Sequence, residues 1–338
     1  MIKLLFSFFS NIFSNNRLFY IVDNAEWSIK HDGIMITNNI TKIKSTITLT
    51  HLGIRNSIVH YGSIGSFISN KKIKLAHSSN RIIITWFHVA PNDIRIKMIP
   101  EADTYVNLWH TSCYSMKHKM VSMGIPEQKI IVIPLGVDTN IFKLNKQSCV
   151  NDLPSNTIVI GSFQKDGNGW GAGDSPKFIK GPDVFCEVIE LLSKRYNVFV
   201  LLTGPSRGYV KNRLDKSKIQ YRHDMLQDVN SLVDYYNVID LYIITSREEG
   251  GPKALLESLA CGVPLVSTKV GMVPDLIVHN ENGPLQSISN YENNVENSNL
   301  YQKKEAFNKL NIFQKITSPF FHLTCMLENL EKKNGMDL

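Results

Sequence analysis

Ser246-Arg247-Glu248-Glu249-Gly250-Gly251-Pro252-Lys253-Ala254-Leu255-Leu256-Glu257 is the stretch on which the fold turns. It follows an apolar run of strand character, Asp240–Thr245, and opens a helical run that reaches Gly262. Pro252 suits the first helical position, because its missing N–H is an orphan there in any case. Gly250 and Gly251 let another molecule approach the backbone closely. The free N–H groups of a helix start, here from Lys253 on, attract anions such as phosphate. Glu249 falls on the loop and Glu257 in the second turn of the helix. A strand, an anion-seeking helix start and two flanking carboxylates form the outline of a sugar-nucleotide site.

Outward from this stretch, short apolar runs alternate with longer amphipathic ones, the pattern of a doubly wound α/β protein. Arg17–Asp23, Asn56–Tyr61, Arg81–Phe87, Thr104–Leu108 and Lys129–Ile133 read as strands of a first domain. Thr157–Phe163, Asn197–Thr203, Lys218–Arg222, Asp240–Thr245 and Pro264–Ser267 read as strands of a second. Helices are expected over Pro182–Lys194, Met225–Tyr236 and Pro252–Ala260. The polar, aperiodic segment Asn140–Asn156 is the expected linker. The chain's 338 residues suit two domains of roughly 150 residues each. The expected division is 1–145, 146–315 and a terminal piece, 316–338, whose stretch from Phe320 to Leu330 reads as an amphipathic helix.

The central stretch resembles the retaining glycosyltransferases of family 4, which have the GT-B fold. Their Glu-Gly-x-Gly followed by Leu-Glu-Ala-x-Ala-Cys-Gly-x-Pro-Val-Val is matched by Glu249-Gly250-Gly251-Pro252 and by Leu256-Glu257-Ser258-Leu259-Ala260-Cys261-Gly262-Val263-Pro264-Leu265-Val266. Pro252 stands where the family has its second glycine. Val132–Asp138 resembles the family's interdomain segment, Lys180-Gly181-Pro182-Asp183 its Lys-Gly helix start, and Val270-Gly271 with Pro274–Ile277 its following turn. The resemblance is strongest over residues 80–285. It implies two Rossmann-like domains facing a central cleft, with the final helix returning to the first domain.

The resemblance also implies roles. Glu257 would bind the ribose hydroxyls of the donor nucleotide, and Glu249 would contact the donor sugar beside the reacting carbon. Relatives place an Arg after the first strand of the second domain and a Lys before its first helix. Lys180 matches the Lys, and Lys165 is nominated for the Arg, although it lacks the bidentate fork. Such fixed cations stabilise the charge that develops on a leaving diphosphate. Gly250, Gly251, Pro252 and Lys253 complete the phosphate end, and Gly204 and Arg222, at two other strand ends, should border the nucleotide. His88, after the strand Ile82–Phe87, stands where relatives often carry a His near the sugar, with a structural histidine as the alternative. His110 is a weaker candidate. Asp23 and Trp27 stand where relatives carry a glycine-rich loop. Gly167–Gly173 formally satisfies a dinucleotide fingerprint, but no helix begins within it, and it reads as a mobile loop near the phosphates. The chain has no Asp-x-Asp, so neither a metal nor another cofactor is expected beyond the nucleotide-sugar substrate.

Net charge is +7, and its distribution is uneven. Residues 1–145 carry 16 basic and 8 acidic side chains, and residues 146–338 carry 21 and 22. A basic first half favours an anionic surface such as acidic lipid headgroups. No helix-turn-helix or RNA-binding signature accompanies it, so nucleic acid is not an expected partner. The five scattered cysteines contain no C-x-x-C pair, which argues against structural zinc and fits free thiols in a reducing cytoplasm. Met1–Phe13 is apolar but too short to span a bilayer. It is either an interfacial segment or the first turns of the fold.

The expectation is therefore a cytoplasmic transferase, peripheral on the inner face of the membrane. It would move a hexose-type sugar from a nucleotide sugar to a glycan or lipid-linked acceptor with retention. Two alternatives stay open: a catalytically silent nucleotide-sugar or glycan-binding GT-B protein, and a GT-B-like epimerase or phosphorylase.

Overall fold

The computed structural model describes residues 2–23, 28–88, 93–145, 150–277 and 285–286. Trp27, the interior of the expected linker and the whole terminal piece 316–338 lie outside the described residues. The chain divides into two compact units between Gly136 and Val137.

The first unit opens with helix α1 (Ile2–Ile12) and continues through β1 (Leu18–Ile21), α2 (Ser28–Asn39), β2 (Ser45–Thr48) and β3 (Ile58–Tyr61). A short helix α3 (Ile64–Phe67) leads into a small antiparallel pair, β4 (Ile68–Ser69) and β5 (Lys72–Ile73). Then come β6 (Arg81–Thr85), α4 (Ile99–Asp103), β7 (Leu108–Thr111), α5 (Tyr114–Ser122) and β8 (Ile130–Val132). Its six-stranded sheet runs β2-β1-β3-β6-β7-β8, with every pair parallel. The order reverses between β1 and β3, the topological switch point at which open α/β sheets bind ligands.

The second unit contains β9 (Ile158–Phe163), α6 (Pro182–Ser193), β10 (Val198–Thr203), α7 (Gly208–Lys216), β11 (Gln220–Asp224), α8 (Leu232–Val238) and β12 (Leu241–Ile244). It continues through α9 (Lys253–Ala260), β13 (Leu265–Thr268), α10 (Val273–Leu276) and β14 (Leu285–Gln286). Its sheet order, β11-β10-β9-β12-β13-β14, is all parallel and reverses between β9 and β12. Parallel strands covered on both faces need continuous apolar runs, and every residue of β10, β12 and β13 is buried. The core joins Val200 and Leu202 of β10 and Ile243 of β12 to Phe185, Val188 and Ile189 of α6.

Several expected elements move. The strand expected at Thr104–Leu108 begins at Leu108, because α4 runs through Asp103 and is closed by Thr104. The helix expected from Met225 begins at Leu232, after a single 3-10 turn over Val229–Ser231. Pro252 caps α9, which starts at Lys253. β2 and α7 were not expected at all. α7 opens on a glycine and carries Lys211, Arg213, Asp215 and Lys216, so it lacks a strong apolar stripe.

In each unit a buried polar network links neighbouring strands. In the first, the Nε2 of His110 donates to the Ile133 carbonyl at 3.0 Å, which leaves its Nδ1 to accept from the Thr85 hydroxyl at 2.9 Å. The Thr85 oxygen in turn accepts from Nε2 of the buried His60 at 2.7 Å. His110 is thus a strand-to-strand link. In the second unit, Arg207 is buried and reaches three backbone carbonyls: Ser162 at 2.7 Å, Gln164 at 2.7 Å and Thr203 at 3.1 Å. Its other nitrogen donates to the Ser162 hydroxyl at 3.0 Å and faces the buried Asp166 carboxylate at 3.1 Å. Burial pushes the Asp166 carboxyl up, and the Arg207 charge opposes that rise. This cation fixes the chain as it leaves β9. Removing it orphans a buried charge and several carbonyls, so Arg207→Met is expected to cost about 3–5 kcal/mol in chemical denaturation. An unchanged midpoint would show that the network contributes little.

Candidate functional site

The site lies in the second unit, beyond the carboxyl ends of β9 and β12, where the strand order reverses. Two segments meet there. Phe178–Lys180 forms a 3-10 turn that leads into α6, and Thr245–Glu249 follows β12. They are joined along their length. The backbone N–H groups of Arg247 and Glu248 donate to the Ile179 carbonyl at 2.9 and 3.3 Å. The Thr245 hydroxyl donates to the Gly181 carbonyl at 2.8 Å. Arg247 grips Asp183 with both terminal nitrogens, at 2.7 and 2.6 Å, and adds a bond to the Phe178 carbonyl at 2.8 Å. Partial burial raises the Asp183 carboxyl, but the Arg247 bonds outweigh it and hold the group below the usual carboxylate range. Gly181 has φ +66°, and a Cβ there would collide with the Thr245 carbonyl oxygen. Only glycine allows this approach.

That seam brings Lys180 onto Glu249. The Lys180 ammonium donates to Glu249 Oε1, which also accepts from the Ser246 hydroxyl at 3.1 Å. Lys177 lies within electrostatic reach of both members of the pair and of Lys165. Lys165 leaves β9 and stacks its ammonium over the Trp170 ring, 3.7 Å from the centroid. The backbone N–H of Lys177 donates to the Asp166 carbonyl at 2.7 Å, which sets Lys177 beside Lys165. The N–H of Lys180 donates to the Lys177 carbonyl at 2.7 Å, which sets Lys180 one turn on. Burial pulls the Lys177 ammonium below the usual lysine range. Lys180 and Lys165 add to the fall, and Glu249 opposes it. Sequence reasoning missed Lys177. Its spacing of three residues from Lys180 was the available signal.

α9 points its first turn from the same loop. Gly250 is buried and is crossed closely by Gly271, so the loop packs backbone on backbone. Pro252 caps α9, and Gly251 and Lys253 flank it, half-buried. Glu257 sits on the second turn, where its Oε2 accepts from the Tyr236 hydroxyl at 2.8 Å. Tyr236 is fully buried and stacks edge-on with Phe163 at the end of β9, 5.0 Å between centroids. This links Glu257 to the strand that delivers Lys165. Tyr236 is a second residue that sequence reasoning missed.

Other expected site residues fall elsewhere. Gly204, with φ +87°, backs Gln164 and accepts from His223 Nε2 at 2.7 Å. Arg222 lies on the edge strand β11, two strands from β9, and is committed to Asp224 at 2.6 Å and to the Asn151 carbonyl at 2.9 Å. It belongs to an edge network, not to the lysine cluster. The glycine-rich loop, expected to be mobile, is tied down. Gly208 N–H donates to Ala172 at 2.7 Å, Tyr209 N–H to Gly173 at 2.9 Å, and the Ser206 hydroxyl to Gly171 at 3.0 Å. His88 is on the first unit, exposed beyond β6.

The family model described as glycosyl transferases group 1 matches residues 176–315. The chain is 21% identical over 244 residues to the amylovoran biosynthesis glycosyltransferase AmsK of Erwinia amylovora, covering 67% of this chain and 56% of that protein. It is 30% identical over 106 residues to the lipopolysaccharide core biosynthesis mannosyltransferase LpsB of Rhizobium meliloti (strain 1021), covering 29% of this chain and 30% of that one. The chain thus spans about a third to just over half the length of such curated relatives. Among solved structures it resembles Anabaena Alr3699/HepE in complex with UDP and glucose, with a TM-score of 0.70 at 13% identity over 94% of this chain and 100% of that one. That likeness shows the fold, two Rossmann-like halves of the GT-B type, and residues 176–315 match the model of the glycosyl transferases group 1 family.

Proposed function

We propose that the chain is a glycosyltransferase that moves a sugar from a nucleoside-diphosphate sugar to an acceptor hydroxyl with retention of configuration. Its place would be the synthesis of cell-surface polysaccharide, lipopolysaccharide or glycolipid. The observation that carries this is the row of lysines after β9, with Lys180 bonded to Glu249 after β12, Lys177 within reach of both and Lys165 beside Lys177, at the loop that opens α9. Three cations against one carboxylate leave an excess of positive charge that suits a diphosphate. The solved relative that holds UDP and glucose supports the same ligand class.

In this mechanism the acceptor oxygen attacks the anomeric carbon as the bond from that carbon to the diphosphate oxygen breaks. The departing diphosphate takes the acceptor's proton, so no covalent enzyme intermediate is needed. The lysines and the α9 N–H groups stabilise the charge that appears on the leaving oxygen. Glu249, fixed by Lys180 and Ser246, holds the donor sugar, and Glu257, fixed by Tyr236, holds the ribose. The enzyme would work without a metal, at the inner face of the cytoplasmic membrane, on a glycan or lipid-linked acceptor.

In a thermal-shift panel of UDP, GDP, ADP, CMP and their sugar conjugates, one base family is expected to raise Tm, and Glu257→Ala to abolish the rise. A folded protein with no response to any nucleotide would overturn the proposal. By calorimetry, Lys177→Met and Lys180→Met should each weaken the nucleoside diphosphate about tenfold to a hundredfold, the range for a lost charged hydrogen bond. Affinity for the bare nucleoside should hardly change. Because the Lys177 charge is lost as pH rises through a lowered pKa, diphosphate affinity should decline at a pH below the ordinary lysine range. Lys177→Arg, which stays charged, should flatten that decline. A wild-type profile that Lys177→Arg leaves unchanged would remove Lys177 from the site.

A further inference from the structure

α1 is hydrogen-bonded to the first unit near its carboxyl end. The Asn11 side-chain amide, buried, donates to the Thr50 and Leu52 carbonyls, both at 2.9 Å. Phe8 and Ile12 lie over Gly53, where a Cβ would come within 2.9 Å of the Phe8 carbonyl. Most of the other apolar side chains of the helix are exposed. Ile2 is 83% exposed, Phe6 76%, Phe9 55% and, just past the helix end, Phe13 81%. Leu4 and Leu5 are exposed as well. Scattered apolar side chains on a surface are ordinary, but a run of large ones on a single helix marks an interaction site. At eleven residues, about 16 Å, α1 cannot cross a bilayer of about 30 Å, and no helix among the described residues is long and apolar enough to do so.

The surroundings of this helix are basic. Lys3 lies on it, Arg17 follows it, and Arg55 lines the cavity beneath Phe8 and Ile12. On its other side Leu4 forms one wall of a cavity of about 410 Å³, lined also by Val22, Asp23, His51, Ser66 and Lys74. That cavity sits at the carboxyl end of β1, at the switch point of the first sheet. The excess of basic over acidic side chains, 16 against 8, is confined to residues 1–145. An apolar helix face set in a basic surround is complementary to an anionic bilayer surface.

We propose that α1 is an in-plane membrane anchor that lays Ile2, Leu5, Phe6, Phe9 and Phe13 into the interfacial layer of an anionic bilayer. Anchored so, the cavity walled by Leu4 stands at headgroup level, open to an amphiphilic acceptor whose chains stay in the membrane. The acceptor class rests on the transferase proposal above, whereas the docking does not. The test is sedimentation of the full chain with vesicles of phosphatidylcholine alone and with about a third phosphatidylglycerol. Binding is expected to the anionic vesicles, weaker binding to the neutral ones, and a loss with rising salt. The double variant Phe6→Ser/Phe9→Ser should lower the partition coefficient about tenfold or more. A separate Phe6→Trp variant should show a blue-shifted emission that brominated lipid quenches. Absence of vesicle binding, equal binding by the double variant, or a Trp that stays in water while the protein is bound each overturns the anchor. So does a double variant that turns a vesicle-indifferent dimer into a monomer, which would assign the patch to a second copy of the chain. The nucleotide thermal shift, read on the same proteins, separates the two proposals. Its survival without vesicle binding sinks the anchor alone, and its absence with vesicle binding sinks the transferase alone.

Discussion

The double grip of Arg247 on Asp183 is the constraint from which the site follows. It fastens the first turn of α6 to the segment leaving β12, and Gly181 lets the two backbones touch. With that seam in place, Lys180 has a fixed route to Glu249, and the 3-10 turn before it sets Lys177 beside Lys165. A charged bidentate pair is among the stronger hydrogen-bonded contacts available to side chains. It lies at the edge of the site, not within it, so it can hold the geometry while the lysines remain available to a ligand. Arg207 does the same from beneath, with a guanidinium buried under the end of β9.

Electrostatics give this geometry its chemical direction. Lysines held close together raise one another's energy, and the depressed Lys177 records that cost together with the cost of burial. A single carboxylate offsets only part of it. A polyanion brought into the cluster relieves the remainder, which is how a preorganised site gains most when charge grows on a leaving group. Glu249 therefore has two functions in the proposed mechanism. It orders Lys180 before the donor arrives and presents a carboxylate to the sugar once the diphosphate has taken the lysines.

Much of this was legible in the sequence, for physical reasons that also explain the failures. β9 to β13 of the second unit were found to within two residues because buried parallel strands need unbroken apolar runs, as in Val198–Thr203, whereas the two-residue β14 was not expected. Glu249, Glu257 and Lys180 could be nominated because glycines, a proline and a helix start leave a local signature, and the structure pairs Lys180 with Glu249. β7 was misplaced because His110 and Thr111 make it look polar, and the bonds that satisfy His110 come from Thr85 and Ile133, far off in sequence. Lys177 and Tyr236 were missed because each joins the site through a partner more than ten residues away, Asp166 and Glu257 respectively. Arg222 was nominated because a strand end suggests a ligand, whereas its bonds to Asp224 two residues on and to Asn151 come from the fold and not from any local pattern. An arginine does reach the end of β9, but from 45 positions along the chain, and no local pattern could reveal it.

The most direct test of the account is a crystal structure of the chain with the nucleoside diphosphate that the thermal-shift panel selects. The account predicts β-phosphate oxygens within about 3.2 Å of the ammonium groups of Lys177 and Lys180, with the ribose on Glu257. A diphosphate bound elsewhere, with none of Lys165, Lys177 and Lys180 in reach, would contradict it.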